Sequence, residues 1–234
     1  MAITVYWACG EEEWIKAEQP EKVLNRFYKM GFGEKDFSHP AAINYCPVFN
    51  ETFNNVFAIK SIYDYSFKIE NNNIILNMYD QQFFNQHVLI RQLEKKFFTF
   101  DMKYIFFTDE DSLEITGYEY PIFEQNEITK RCMMFPGKFD IGKWFRTLEF
   151  AFALKNDFNE FSVSNEDVLY YLRFHTKEKI NFKQFKMTSS LVNILHANNK
   201  VNHFSLNPKT NIKDFYNKFK GKSYILNEIK QNLV

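Results

Sequence analysis

The sequence predicts a mainly β protein: an antiparallel β-sandwich or jelly-roll-like core with helical segments at its N- and C-terminal ends. Three observations carry this prediction. Apolar residues recur at helical spacing near the N-terminus, then alternate one by one between residues 55 and 186. The alternating stretch is cut into short runs by turns rich in Asn, Asp and Glu, as hairpins require. After residue 186 the helical spacing returns.

Taken in order, Pro20 suits a first helical position, and EKVLNRFYKM then places Val23, Leu24, Phe27 and Met30 on one face before a stop at Gly31. NVFAIKSIYDYSFKI alternates, with Phe57, Ile59, Tyr63, Tyr65, Phe67 and Ile69 on one side. ENNN then turns it into the apolar run IILNMYD, which makes a hairpin. FFTFDMKYIFFT, the turn DEDS and LEITGYEY form a second pair. FAFALKN returns through DFNEFSVSNED to VLYYLRFHT and the next strand INFKQF. Paired runs of this kind indicate an antiparallel stack. In the tail, TSSLVNILHA reads as a short capped helix. TNIKDFYNKFKG sets Ile212, Phe215, Tyr216 and Phe219 at helical spacing before Gly221. No linker or internal repeat divides the chain. Residues 1–234 are therefore expected to form one domain: a helical or extended segment over 1–45, the β core over 46–186, and a helical tail over 187–234 packed on it.

Composition bounds the function. The 234 residues carry 29 basic and 29 acidic side chains, a formal net charge of zero, so no global basic field draws nucleic acid. There is no apolar run of about 18 residues, and MAITVYWACGEEEW reaches three glutamates too early for a signal peptide. The chain is expected to be soluble and cytoplasmic, without a membrane partner. The 28 Phe and 13 Tyr, beside abundant Asn, Lys and Ile, reflect A/T-rich codons more than a ligand cage. Cys9, Cys46 and Cys132, widely spaced and without CxxC, read as reduced, partly buried thiols.

Several chemistries are excluded by spacing. With seven glycines the chain contains no GxxxxGK[ST], GxGxxG or GxSxG. None of His39, His87, His175, His196 and His203 has Asp or Glu two residues on, as the iron sites of jelly-roll oxygenases require. Asp109, Glu110 and Asp111 lack calcium-loop spacing and read as a solvated hairpin tip. No cofactor and no metal ligand is expected.

One apolar row contains a charge. In KWFRTLEFAFAL, residues 143–154, alternation puts Trp144, Leu148, Phe150, Phe152 and Leu154 on one strand face, and Arg146 falls on that face too. Its permanent charge needs water, a carboxylate or an anionic ligand. Asp140 is the acid best placed in sequence to fold back to it, with the arginine stem covering Trp144 or Phe145. In the next strand Arg173 and His175 share a face with Tyr171. If the two strands face one cavity, Arg146, Arg173, Tyr171 and His175 form an anion-selective cluster; if they face opposite sides, the cluster dissolves.

Three stretches carry a resemblance: ITVYWACGEEEWIKAEQPEKVL, CPVFNETFNNVFAIKSIYDY, and PGKFDIGKWFRTLEFAFAL followed by VLYYLRFHT. They resemble an uncharacterised family of hypothetical proteins encoded by tailed phages of marine cyanobacteria. The same order of elements is loosely similar to a bacterial domain-of-unknown-function family, in which a tryptophan-containing β stretch precedes a segment ending in a short glutamate-led strand. The similarity covers residues 1 to about 186. It implies a viral origin, residence in the host cytoplasm or the virion, and a β-sandwich, with no catalytic residues to carry over.

Two readings of function follow. In the first, the protein is a non-catalytic binding or structural-accessory protein whose loops or sheet edge meet a phage or host protein. In the second, it is an enzyme or binder of a small anionic ligand, up to a divergent metal-dependent, oxygenase-like jelly roll, with its pocket inside the sandwich.

Overall fold

The computed structural model describes residues 2–10, 17–29, 46–71, 73–77, 81–100, 102–118, 125–204 and 221–234. In chain order the first elements are β1 (Ala2–Cys9), β2 (Glu21–Lys22), α1 (Val23–Lys29), α2 (Pro47–Thr52), β3 (Val56–Lys60), β4 (Tyr65–Glu70) and β5 (Asn73–Leu76). Next come α3 (Gln81–His87), β6 (Val88–Gln92), β7 (Phe97–Phe100), β8 (Tyr104–Thr108), β9 (Glu114–Tyr118), α4 (Glu127–Arg131) and β10 (Cys132–Phe135). The chain continues through β11 (Lys138–Asp140), β12 (Ala151–Leu154), β13 (Glu160–Val163), β14 (Val168–Phe174), β15 (Lys179–Gln184), α5 (Ser189–Phe204) and α6 (Lys222–Gln231). The fold is mainly β, as the alternation predicts.

Among the described residues the strands form four sheets, ordered β15-β1-β8, β10-β12-β7-β6, β11-β9-β14-β3-β2 and β13-β4-β5, and none of these closes into a barrel. Every ladder is antiparallel except β1 with β15. Side chains from all four sheets meet in one aromatic cluster. Trp7, Phe57, Phe67, Phe98, Phe106, Phe152, Phe161 and Phe174 are all buried there. Phe98 touches Phe67 edge-on at 5.4 Å between centroids and Phe152 in a stack at 5.8 Å. Each fully buried Phe contributes about 1.5–3 kcal/mol by leaving water, and each such ring pair about 0.5–1.5 kcal/mol more.

A second cluster covers the opposite face of β1 and β8. Tyr6, Ala8, Ile105 and Phe107 pack there against Leu191 and Leu195 of α5 and Ile225 and Ile229 of α6. The helical tail thus covers a sheet face that would otherwise be exposed. A third cluster joins Val23 of α1 to Val56 and Ala58 of β3 and Val168 and Tyr171 of β14.

Several expectations need correction. The first helix starts at Val23, because Glu21 and Lys22 pair with Ala58 and Phe57 as a short edge strand. The run 55–69 is two strands, broken at Ser61, whose amide bonds to Asp167 O and whose hydroxyl donates to Tyr63 O. The β4–β5 hairpin forms, with Asn71 at φ 49° in its turn. The second hairpin does not form: β8 pairs with β1, whereas β9 pairs with β11 and β14. Nor does β12 pair with β14, or β14 with β15; β15 joins β1 instead. Three short helices, α2, α3 and α4, interrupt the β region. Gly221 stands at the N-cap position of α6, and the helix expected over 210–220 before it lies outside the described residues. Cys9 is partly buried and Cys132 buried, as expected, but Cys46 is exposed.

The row 143–154 is strand only over Ala151–Leu154. Its first half gives its backbone bonds to other partners. Leu148 N donates to Tyr104 O at 2.8 Å, and the buried Asn198 Nδ2 of α5 donates to Phe145 O at 2.7 Å. Phe145 fills the helix-side cluster, whereas Leu148, Phe150 and Phe152 fill the aromatic one.

A tight corner precedes this segment. The Asp140 carboxylate accepts from Ser112 Oγ at 2.7 Å and from Leu113 N and Gly142 N at 3.1 Å, and pairs with Lys143 Nζ at 3.0 Å. Burial raises its pKa, but these donors outweigh burial and hold it below the ordinary carboxylate value. Gly142 lies so close to the neighbouring chain that a Cβ would stand 2.6 Å from Glu110 O and 2.9 Å from Ser112 Cα. At Gly137 the nearest atom would be a side-chain carbon of Phe139, at 3.2 Å. Gly142→Ala should therefore cost about 1–3 kcal/mol of unfolding free energy, and Gly137→Ala clearly less. Chemical denaturation of the two variants measures the difference.

Candidate functional site

The four residues singled out in the sequence do not converge. Arg146 donates through Nε to Thr147 O at 3.2 Å, and its guanidinium lies over the Phe139 ring at 5.8 Å. Phe139 packs on the aromatic cluster, and its register places it on the same sheet face as Ile115 and Phe174. Asp140, the expected partner, is engaged by the four donors of the corner. Tyr171, Arg173 and His175 alternate onto the other face of the sheet. Tyr171 is wholly buried in the third cluster, Arg173 donates to Thr52 O of α2, and His175 Nε2 lies 2.9 Å from Thr116 Oγ1. Arg146, over the Phe139 ring, is thus on the sheet face that Phe139 shares with Ile115 and Phe174, apart from the other three.

Tertiary structure does gather cations around His175. Register places Lys138 beside Thr116 and Thr116 beside Arg173, while Lys138 pairs with Glu114 at 2.6 Å. The His175 pKa is pushed below its ordinary value by partial burial first, then by Lys138 and Arg173, with Glu114 opposing. The unfolded chain therefore takes up this proton at higher pH than the folded one. Stability from this group is intact above the ordinary histidine value of 6.5 and declines as pH falls below it. Thermal midpoints measured from pH 7 down to 5 should fall more steeply for the wild type than for His175→Gln.

A concave feature of the described residues lies elsewhere, at the end of β3. Lys60, with 16% of its side chain exposed, places Nζ 2.9 Å from Glu18 Oε2, 2.5 Å from Glu166 Oε2 and 3.9 Å from Glu21 Oε2. Burial lowers the lysine pKa, but the hydrogen bonds to Glu166 and Glu18 outweigh it and hold the ammonium charged. The turn carrying Glu166 is fastened to the loop after β3. Glu166 N donates to Ser61 O at 3.1 Å, and Asn165 N to Asp64 Oδ1 at 2.6 Å. Glu166 has φ 75°, a left-handed conformation that disfavours any residue with a Cβ. Tyr104 OH donates to Glu18 O at 3.0 Å, and burial drives its phenol pKa strongly upward.

Around these groups opens a cleft of about 400 Å³, lined also by Ser61, Tyr63 and Asn165. A second cleft of about 440 Å³ adjoins it beyond Glu18 and Lys60, where Lys22, Lys29, Phe57 and Asn181 contribute. Glu21 faces the cations there, with Lys29 at 2.5 Å and Arg26 at 3.6 Å. Sequence reasoning missed this site because Glu18, Lys60 and Glu166 lie on three separate segments. The available signal was Lys60 itself, a lone charge closing the apolar run VFAI.

The outer face of the sheet β10-β12-β7-β6 is the other distinctive surface. Met133 and Phe135 are 52% and 41% exposed there, and Phe135 rests on Phe97 at 5.0 Å. Register aligns them with Ala153, Ala151 and Thr99. Among the described residues β10 has one neighbouring strand, β12. Lys155 N donates to Arg131 O at 2.8 Å, one residue before the ladder begins. By antiparallel alternation Met133 and Phe135 then bond to β12, whereas the amide and carbonyl of Met134 point to the open edge. The Cys132 amide is already spent on Ile128 O, at the end of α4.

Among the described residues no three His, Cys, Asp or Glu side chains are placed to hold a metal ion, and no helix is long and apolar enough to cross a membrane. Comparison with family models, curated proteins and solved structures returns no match.

Proposed function

We propose that the protein is a non-catalytic binding protein, and that its β10 edge receives an extended segment of a protein partner. The observation that carries this reading is the combination in one short strand of exposed Met133 and Phe135 with the outward-facing backbone groups of Met134. An edge strand without charged side chains is a template for strand addition. Main-chain hydrogen bonds would supply affinity, and alternate side chains specificity. Arg131 and Pro136 flank CMMF and limit pairing to these few residues. Phe97 and the small Ala151 continue the apolar face behind the edge, where the partner's alternate side chains would lie.

The sheets gathered on one aromatic cluster support a sandwich or jelly-roll-like architecture for this binding scaffold. The phage-family resemblance, on the same reading, makes the partner a phage or host protein met in the host cytoplasm or the virion. The test is selection of short peptides from a random display library on the immobilised protein. Enriched sequences should alternate apolar residues and lose binding to Met133→Lys and Phe135→Lys, while both variants keep the wild-type thermal midpoint. No enrichment, or enrichment indifferent to both substitutions, overturns the proposal.

A further inference from the structure

We propose that the cleft beside Lys60 binds an organic cation, an ammonium or guanidinium group carried on a short aliphatic chain. This site is separate from β10 and does not depend on the strand-addition reading.

The charge balance of the cleft sets the sign. Among the described residues Glu18 and Glu166 bring two negative charges and Lys60 one positive, leaving one negative charge uncompensated. The neighbouring acids do not reverse this sign. Asp64 and Asp167 accept from the backbone amides of Asn165 and Ser164, and Glu21 faces Arg26 and Lys29 in the adjoining cleft. Each cleft glutamate binds Lys60 through Oε2, which leaves its Oε1 for a further donor. Exposure divides the same way. Glu18 and Glu166 are 62% and 56% exposed, whereas the Lys60 side chain is turned inward.

The chain itself shows what these carboxylates recognise. They already hold one ammonium, that of Lys60, with both acceptors converging on it. A second cation would share the remaining oxygens, with the half-buried Tyr63 on the cleft wall beside them. An anion would instead have to displace both glutamates from Lys60, and among the described residues no second cation lines this cleft. The volume of about 400 Å³ suits a small ligand. The geometry is also prepared in advance. The hydrogen bonds between the Ser164–Asp167 turn and the loop after β3 hold Glu166 in its left-handed conformation, so ordering it costs the ligand little.

The experiment is isothermal titration of the full chain at low salt with cadaverine, n-butylamine and butylguanidine, with n-butanol and sodium acetate as controls. The amines and the guanidine should bind, more weakly as salt is added, and n-butanol should not. Glu18→Gln and Glu166→Gln should each weaken cadaverine by about tenfold. Glu18→Gln, whose carboxylate is largely exposed, serves as the decisive variant if Glu166→Gln fails to fold. Absence of amine binding at tens of millimolar overturns the proposal, as do equal binding of n-butanol and unchanged affinity in Glu18→Gln. Acetate binding that disappears in Lys60→Met would reverse the sign of the site and overturn it equally.

Discussion

All four sheets depend on burying one set of aromatic rings. A single sheet of three to five short strands has too little apolar surface to be stable on its own, and each sheet here turns one face to the cluster built around Phe67, Phe98, Phe152 and Phe161. Phe98 shows the constraint most clearly. It is fully buried and meets rings from β4, β7, β12 and β13, two of which belong to another sheet. Large planar rings meeting at steep angles leave few alternative arrangements, since sliding one sheet would separate several ring pairs at once.

That shared cluster decides where the remaining surfaces fall. The face of β1 and β8 turned away from it is covered by α5 and α6. Tyr171 on the outer side of β14 is covered by α1 and its neighbours. The outer face around Phe97, Met133 and Phe135 keeps two large apolar side chains exposed. α4 ends directly at Cys132, so β10 enters the sheet with its first amide already committed to the helix.

The Lys60 cleft is a second consequence of the packing. β3 is buried on both faces over Val56–Ile59, so its first charged residue emerges only where the strand leaves the core. Lys60 can be half-buried there because three carboxylates from other segments surround it; an unpaired ammonium would be costly in that position. The left-handed Glu166 is held by hydrogen bonds to Ser61 and to the turn around it, a local cost borne by the surrounding structure.

The sequence by itself determined the β class, the helical tail and most of the inward-facing residues. Phe57, Ile59, Tyr65, Phe67 and Ile69 are all buried in the aromatic cluster, on the side their alternation assigns. Periodicity is a local property, readable without knowing a strand's partners. Tertiary structure alone decided which strands pair. β8 turns from β9 to β1, and β15 joins β1 in parallel across most of the chain, because pairing is settled by burial against distant side chains. The same holds for charge. Alternation left open whether Arg146 and Arg173 face one cavity, and the packing sets Arg146 over the Phe139 ring and Arg173 on the other face of that sheet, while Glu18, Lys60 and Glu166 meet across more than a hundred residues. Alternation gives the face of a strand to which a charge belongs, and only the packing of sheets says what lies opposite that face.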